Sequence, residues 1–313
     1  MKKTVLITGS SGLVGMAFQN IAHAYDCDYA FVFSTSSDAD LTNYQETKIL
    51  FDRAKPNYVI HLAACVGGLY KNMNFKVDML EKNIQINFNV LKCAYEAKVN
   101  KCVCMLSTCI FPDKTTYPID ETMLHDGPPH VSNDAYAYAK RIMEVHCRAY
   151  NEQYNTNFSC IIPTNIYGPE DNYSLEDGHV IPALIHKCYL AKEQQIPFEV
   201  RGSGAPLRQF IYSEDLATIV MNCLDSINRE NLIVSTTEEY SIKDVAFHIA
   251  REFDYDEHIV FNKTYSDGQF KKTASNEKLK KMMSESELKF IDIEEGIRRS
   301  VDFFKDKFEV CRK

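Results

Sequence analysis

Three side chains in this sequence have the types and spacing to deliver a proton to a carbonyl that accepts a hydride. "DAYAYAKR" sets Tyr136 and Lys140 four apart, so on a helix the phenol and the ammonium share one face. A phenol ordinarily ionises near about 10. An ammonium beside it stabilises the phenolate and lowers that value, which makes Tyr136 a usable acid near neutral pH. Ser107, at the end of the apolar run "KCVCML", can hold the carbonyl oxygen. A Tyr/Lys pair by itself is an ordinary surface contact. The three in this order, behind a glycine-rich turn, are a far more specific signal.

That turn is "TGSSGLVG". Gly9, Gly12 and Gly15 let the backbone approach a pyrophosphate, with Ser10, Ser11, Leu13 and Val14 between them, where a helix N-terminus favours negative charge. Taken alone the GxxGxxG spacing is an ordinary strand-to-helix turn. Its position after the first strand makes it a dinucleotide site. The second strand ends in "STSS" (34–37). Ser36 and Ser37 stand where an acid would bond a ribose 2′-hydroxyl and favour NAD. No carboxylate is there to repel a 2′-phosphate, so NADP(H) is the expected cofactor and NADPH the preferred donor. Asp40 and Leu41 are placed to meet the adenine, although Asp40 suits the cap of the following helix equally well.

These groups need a scaffold, and the chain alternates strand and helix patterns. Apolar runs at 3–8, 29–33, 58–64, 101–107 and 158–163 read as strands. Helical spacing follows from residue 13, at 44–54, over roughly 77–98 and over about 134–153. The runs are continuous rather than alternating, as in a parallel sheet covered on both faces. The expected fold is α/β, a Rossmann-type doubly wound parallel sheet with a smaller C-terminal substrate domain. Residues 1–165 and about 201–234 are assigned to the nucleotide-binding part, and about 166–200 and 235–313 to the substrate part.

The chain has 313 residues, 45% hydrophobic and 25% charged, ordinary values for a globular protein. Its net charge of −8 argues against general attraction to nucleic acid or an anionic membrane. No apolar stretch is long enough to span a bilayer, and the N-terminal apolar run is too short for a signal peptide. The 11 cysteines include no CxxC pair and no metal-ligand spacing. A reducing, cytoplasmic compartment is expected.

With the glycine loop, Ser107 and Tyr136-x-x-x-Lys140 in view, the chain resembles the extended short-chain dehydrogenase/reductase family. "VIHLAACVGG", "LSTCIFPDKTTYPIDE", "PTNIYGPEDN", "EDGHVIPALIHK", "RQFIYSEDLA" and "SDGQFKKTASN" carry the likeness to its branch of bifunctional GDP-4-keto-6-deoxy-D-mannose epimerase/reductases, across residues 5–276. The resemblance implies an enzyme that inverts C3 and C5 of a GDP-sugar and reduces C4 with NADPH, usually as a homodimer. It places Ala63, Pro163, Thr164, Asn165, Ile166, Lys140 and His179 against the cofactor.

The resemblance also gives a role to Cys109, in "LSTCIFP". On its own, a cysteine beside an apolar strand is a small buried hydrophobe, and His179 is a loop histidine. By likeness, Cys109 is the base and His179 the acid of the epimerisations. A thiol near about 8.5 and an imidazole near about 6.5 can both exchange protons near neutrality. Asn165, Lys187, Arg208 and Asp267 match positions that meet the substrate, and cations there suit a diphosphate; solvated surface charge is the plainer account of Lys187 and of the Asp267 carboxylate. At Arg201 the family commonly has tryptophan, and this chain has none. Arginine stacks on a flat ring as well as carrying charge. Two rivals stand beside this reading. A reductase without epimerisation has no need of Cys109 and His179. A non-catalytic NADP-binding regulator has no need of Ser107, Tyr136 and Lys140.

Overall fold

The computed structural model describes residues 2–265, 267, 270–284 and 287–313. Ser266, Gly268 and Gln269 of "SDGQFKKTASN" lie outside the described residues. The first half runs β1 (Lys3–Thr8), α1 (Leu13–Ile21), β2 (Tyr29–Ser34), α2 (Tyr44–Ala54), β3 (Tyr58–His61), α3 (Leu69–Asn74), α4 (Lys76–Glu96), β4 (Lys101–Met105), α5 (Asp134–Tyr154) and β5 (Phe158–Pro163). Then follow β6 (Asn165–Tyr167), α6 (Val180–Gln194), β7 (Phe198–Arg201), β8 (Leu207–Arg208), β9 (Phe210–Tyr212), α7 (Ser213–Cys223) and β10 (Asn231–Val234). The chain closes with β11 (Tyr240–Ser241), α8 (Ile242–Arg251), β12 (Ile259–Asn262), α9 (Glu277–Met282) and α10 (Ile293–Asp306). None of the described helices is long and apolar enough to cross a membrane.

Six strands form a parallel sheet in the order β2-β1-β3-β4-β5-β10. The order reverses between β1 and β3, which opens a crevice at their carboxyl ends. Alternate side chains feed two cores. Leu6, Val59, Cys104 and Ile162 pack against α4 and α5 through Val90, Leu91 and Met143. Val5, Ile7, Ile60 and Val103 pack against α1 and α7 through Phe18, Leu216 and Val220. This two-sided burial is why the inner strands are apolar on both faces rather than in alternation. Cys102, Cys104 and Cys147 lie in the first core as free thiols, with Sγ–Sγ separations of 3.8 and 3.7 Å. A third core joins α6, α8 and α10 to β7 and β9, through Ile185, Phe198, Phe210, Ile249, Ile297 and Phe304.

Two features tie these parts together. At the end of β3, His61 is fully buried, with Thr8 Oγ1 at 2.8 Å from Nδ1 and Asn87 Oδ1 at 3.1 Å from Nε2. Burial pulls its pKa down to about 4, so the ring is neutral. Because Asn87 offers an acceptor, Nε2 donates and Nδ1 accepts from Thr8; Thr8 in turn accepts the Ala63 N–H at 3.3 Å. The third strand accordingly stops at His61, short of the expected residue 64, as the chain lifts over the glycine loop.

The second tie is the segment 270–275. It bonds to the sheet lobe through Ile119 N to Thr273 O at 2.8 Å and Ser275 N to Ile119 O at 2.7 Å. On its other side Leu207 N donates to Phe270 O at 2.9 Å and Ala274 N to Gln209 Oε1 at 2.8 Å.

Candidate active site

A cleft of about 910 Å³ opens at the carboxyl ends of β1 and β3, large enough for a dinucleotide. Gly9 has φ +71°, and a β-carbon there would stand 2.7 Å from the Ala63 backbone. One on Gly15 would meet Ser10 Cα at 2.4 Å, so strand, turn and helix close together only without these side chains. Gly12 caps α1. Ser11, Leu13 and Val14 line the cleft with the three glycines. Ser10 does not: its hydroxyl is fully buried without a partner, and its backbone N–H bonds Ser34 O at 3.0 Å.

Ser36, Asp40, Leu41 and Ala63 continue the wall. Ser37 is turned aside, its Oγ 2.7 Å from Thr35 Oγ1. Asp40 lines the cleft and also accepts from Thr42 N at 2.9 Å and Thr42 Oγ1 at 2.7 Å, which lower its pKa. The cap of α2 is Asn43, whose side chain accepts from Gln45 and Glu46. Pro163, Thr164, Asn165 and Ile166 form the opposite rim, where the Thr164 hydroxyl is buried without a partner. The close-packed glycine cradle and this orphaned hydroxyl fit a nicotinamide dinucleotide.

Ser107, Tyr136 and Lys140 meet at the inner end of the cleft. Ser107 caps the turn Thr108–Ile110, its Oγ 3.4 Å from Cys109 N. Tyr136 and Lys140 share a face of α5. Lys140 is 2% exposed, donates to Met105 O at 2.8 Å and has Nζ 5.8 Å from the Tyr136 ring centroid. Burial lowers its pKa to about 8. The expected lowering of the Tyr136 phenol is not found. Burial pushes it well up, with Cys109 and Cys65 adding to the rise, while the ammonium is turned to Met105.

Cys109 is partly exposed and stands behind Ser107, packed on the sheet core. Burial raises its thiol, against the pull of Ser107, Lys272 and Lys140. The neighbouring lysines favour thiolate, but less than burial opposes it. His179 is the exposed N-cap of α6 and lines the cleft, with the buried carboxyl of Asp171 near it.

The remaining substrate candidates lie outside this cleft, except Asn165, whose amide donates to Gln209 O at 2.8 Å. Lys187 on α6 donates to Glu199 O at 3.2 Å; burial and then Arg201 lower its pKa. Arg201, at the end of β7, stacks 4.8 Å from the Tyr265 ring centroid. Asp267 accepts from Ser203 N at 2.6 Å and Ser203 Oγ at 2.7 Å. Arg208 bonds Leu207 O at 2.7 Å and shares the surroundings of Lys272. Lys272 is the residue that sequence reasoning missed here. It sits half-buried in the 270–275 segment, where burial lowers its pKa, and feels both Cys109 and Arg208. Its only sequence signal was membership of "SDGQFKKTASN". Asp171 and Arg312, which also line the cleft, were not singled out either.

A parallel sheet that reverses at a glycine cradle, with a Ser/Tyr/Lys trio lining the same cleft, defines a dinucleotide-dependent enzyme fold, and the chain belongs to the NAD dependent epimerase/dehydratase family, whose model matches residues 5–234. Among relatives, it is 51% identical to a GDP-L-fucose synthase of Dictyostelium discoideum, over 100% of this chain and 98% of that one. It is 45% identical to a probable GDP-L-fucose synthase of Drosophila melanogaster, over 99% and 100%. The crystal structure of a GDP-L-fucose synthetase from Naegleria fowleri bound to NADP superposes with a TM-score of 0.93 at 42% identity, covering 99% of this chain and 95% of that one.

Proposed function

We propose that this chain is a GDP-L-fucose synthase: it converts GDP-4-dehydro-6-deoxy-D-mannose to GDP-L-fucose by epimerisation at C3 and C5, then NADPH-dependent reduction at C4. The observation that carries the reading is the company Cys109 keeps. A thiol beside Ser107, whose Oγ is 3.4 Å from Cys109 N, with Lys140 and Lys272 pulling toward its ionised form, has no use in reduction alone. C3 and C5 flank the C4 carbonyl, so their protons are acidified through the enol. Cys109 takes the proton from one face and His179 returns one on the other. Ser107 and Tyr136 hold the oxygen while it carries charge.

NADPH supplies the hydride to C4. Tyr136 protonates the C4 oxygen, and Lys140 tunes Tyr136 and holds the nicotinamide ribose. The glycine loop takes the pyrophosphate; Ser36, Asp40 and Leu41 take the adenosine end; Ala63 and Pro163–Ile166 enclose the nicotinamide end. Lys187, Arg201 and Arg208 hold the GDP diphosphate, with Asp267 and Asn165 on the substrate. The sheet lobe thereby serves the cofactor and the α6/α8/α10 lobe the sugar nucleotide. Turnover in D₂O tests this. Deuterium at C3 and C5 with cofactor oxidation is the expected outcome; oxidation without deuterium would leave a plain C4 reductase.

A homodimer belongs to the same reading. Phe88 and Tyr95 on α4, with Ile142, Val145 and Tyr154 on α5, form an exposed apolar stripe over two packed helices. Pairing of two such faces makes a four-helix interface. Sedimentation should give a particle of two chains that Ile142→Glu dissociates; a wild-type monomer at micromolar concentration would rule the pairing out.

A further inference from the structure

NADPH brings two charges on its pyrophosphate and close to two more on its 2′-phosphate. The loop that receives the pyrophosphate, "GSSGLVG", has no cationic side chain. Among the described residues, the basic side chains lining the cleft are Lys140, His179 and Arg312. Lys140 is buried at the catalytic end on Met105 O, and His179 caps α6. Arg312 is therefore the guanidinium available to the phosphates, although it lies some 300 positions from the glycine loop in the chain.

The fold brings it there. After α10 the chain turns back, with Cys311 N on Lys307 O at 2.8 Å. The Arg312 carbonyl accepts from Tyr173 N at 2.7 Å. Tyr173 is itself fixed, fully buried, with its hydroxyl on Pro169 O at 2.8 Å and its ring 4.8 Å from that of Phe304. Nη2 of Arg312 donates to the Glu170 carbonyl. A side cavity of about 320 Å³ is lined by both Ser11, in the middle of the loop, and Arg312. Asp171 lines both spaces; it is 5% exposed, and one carboxyl oxygen has no partner. A guanidinium has five donors, and the Glu170 carbonyl engages one group of them.

We infer that Arg312 is a cofactor-binding residue: anchored on the Glu170 carbonyl and steered by Asp171, its guanidinium bonds the pyrophosphate oxygens of the dinucleotide over Ser11. The inference rests on the cofactor reading above. It supplies from the far end of the chain the cation that the glycine loop lacks, and bidentate arginine–phosphate geometry suits the task.

Calorimetric titration tests it with two probes, NADPH and adenosine 2′-monophosphate, which keeps the adenine, ribose and 2′-phosphate but has no pyrophosphate. Arg312→Met is expected to raise the Kd for NADPH about 10- to 100-fold, the size of a lost charge-assisted bond pair. The Kd for the monophosphate should stay unchanged, and Arg312→Lys should recover part of the NADPH affinity. An unchanged NADPH affinity in Arg312→Met overturns the contact. So does an equal loss for both probes, which would mean that the segment only supports the fold. Wild-type protein that binds no NADPH would overturn the cofactor reading itself, and that is seen before any substitution is made.

Discussion

Cys109→Ala binds NADPH normally and loses deuterium incorporation at C3 and C5 by about 10²-fold or more, the usual weight of a general base. The thiol's surroundings explain why it can be tested so selectively. Cys109 lies outside the residues that line the dinucleotide cleft, while Ser107 in front of it does line it. Removing Sγ therefore leaves the cofactor's wall intact. Burial holds the thiol above its ordinary range, and Ser107, Lys272 and Lys140 work against burial. A thiol so placed is mostly protonated at neutral pH, so exchange should accelerate as pH rises toward its ionisation. Wild-type levels of exchange in the alanine variant would remove Cys109 from the mechanism and return it to packing.

Tyr136→Phe separates the other half of the chemistry. Reduction should fall by about 10²–10⁴-fold, while deuterium still enters C3 and C5, only more slowly because Ser107 is left to hold the enolate oxygen alone, and NADPH still binds. A phenol raised by burial is a weak acid on its own. Its usefulness depends on Lys140, whose ammonium loses its proton at about 8 because of its own burial. The sign follows. Below that value Lys140 is charged and supports proton delivery by Tyr136; as pH climbs through it the charge is lost and reduction slows. Stopped-flow oxidation of NADPH against pH should show a falling limb there. A phenylalanine variant that reduces at the wild-type rate would assign the proton to another group.

Much of this architecture can be read along the chain because burial on both faces leaves β1, β3, β4 and β5 with mostly apolar, non-alternating runs. The glycine spacing and the Tyr136/Lys140 pair are equally local signals, written in one turn and one helix. What the residues alone do not reveal is built by distant contacts. Where β3 ends, His61, Thr8 and Asn87 from three elements hydrogen-bond one another, and Ala63 N bonds Thr8. Lys272 and Arg312 carry no periodic or motif signal; they reach the site because the segments holding them fold back onto Ile119 and Tyr173. The direction of the Tyr136 shift also eluded sequence reasoning, since spacing gives proximity to Lys140 but not the turn of its ammonium to Met105 O.

The 270–275 segment has a consequence for how the two reactions are distributed over the polypeptide. Ser107, Tyr136, Lys140 and the glycine cradle all belong to the first 165 residues. In the proposed epimerisation Cys109 comes from that stretch and His179 from the start of α6, while Lys272, whose charge reaches Cys109, belongs to a segment hydrogen-bonded to both sides. Apart from Arg312, the groups proposed to reduce C4 thus lie close together in sequence, whereas those proposed to invert the sugar come from separate segments that only folding unites.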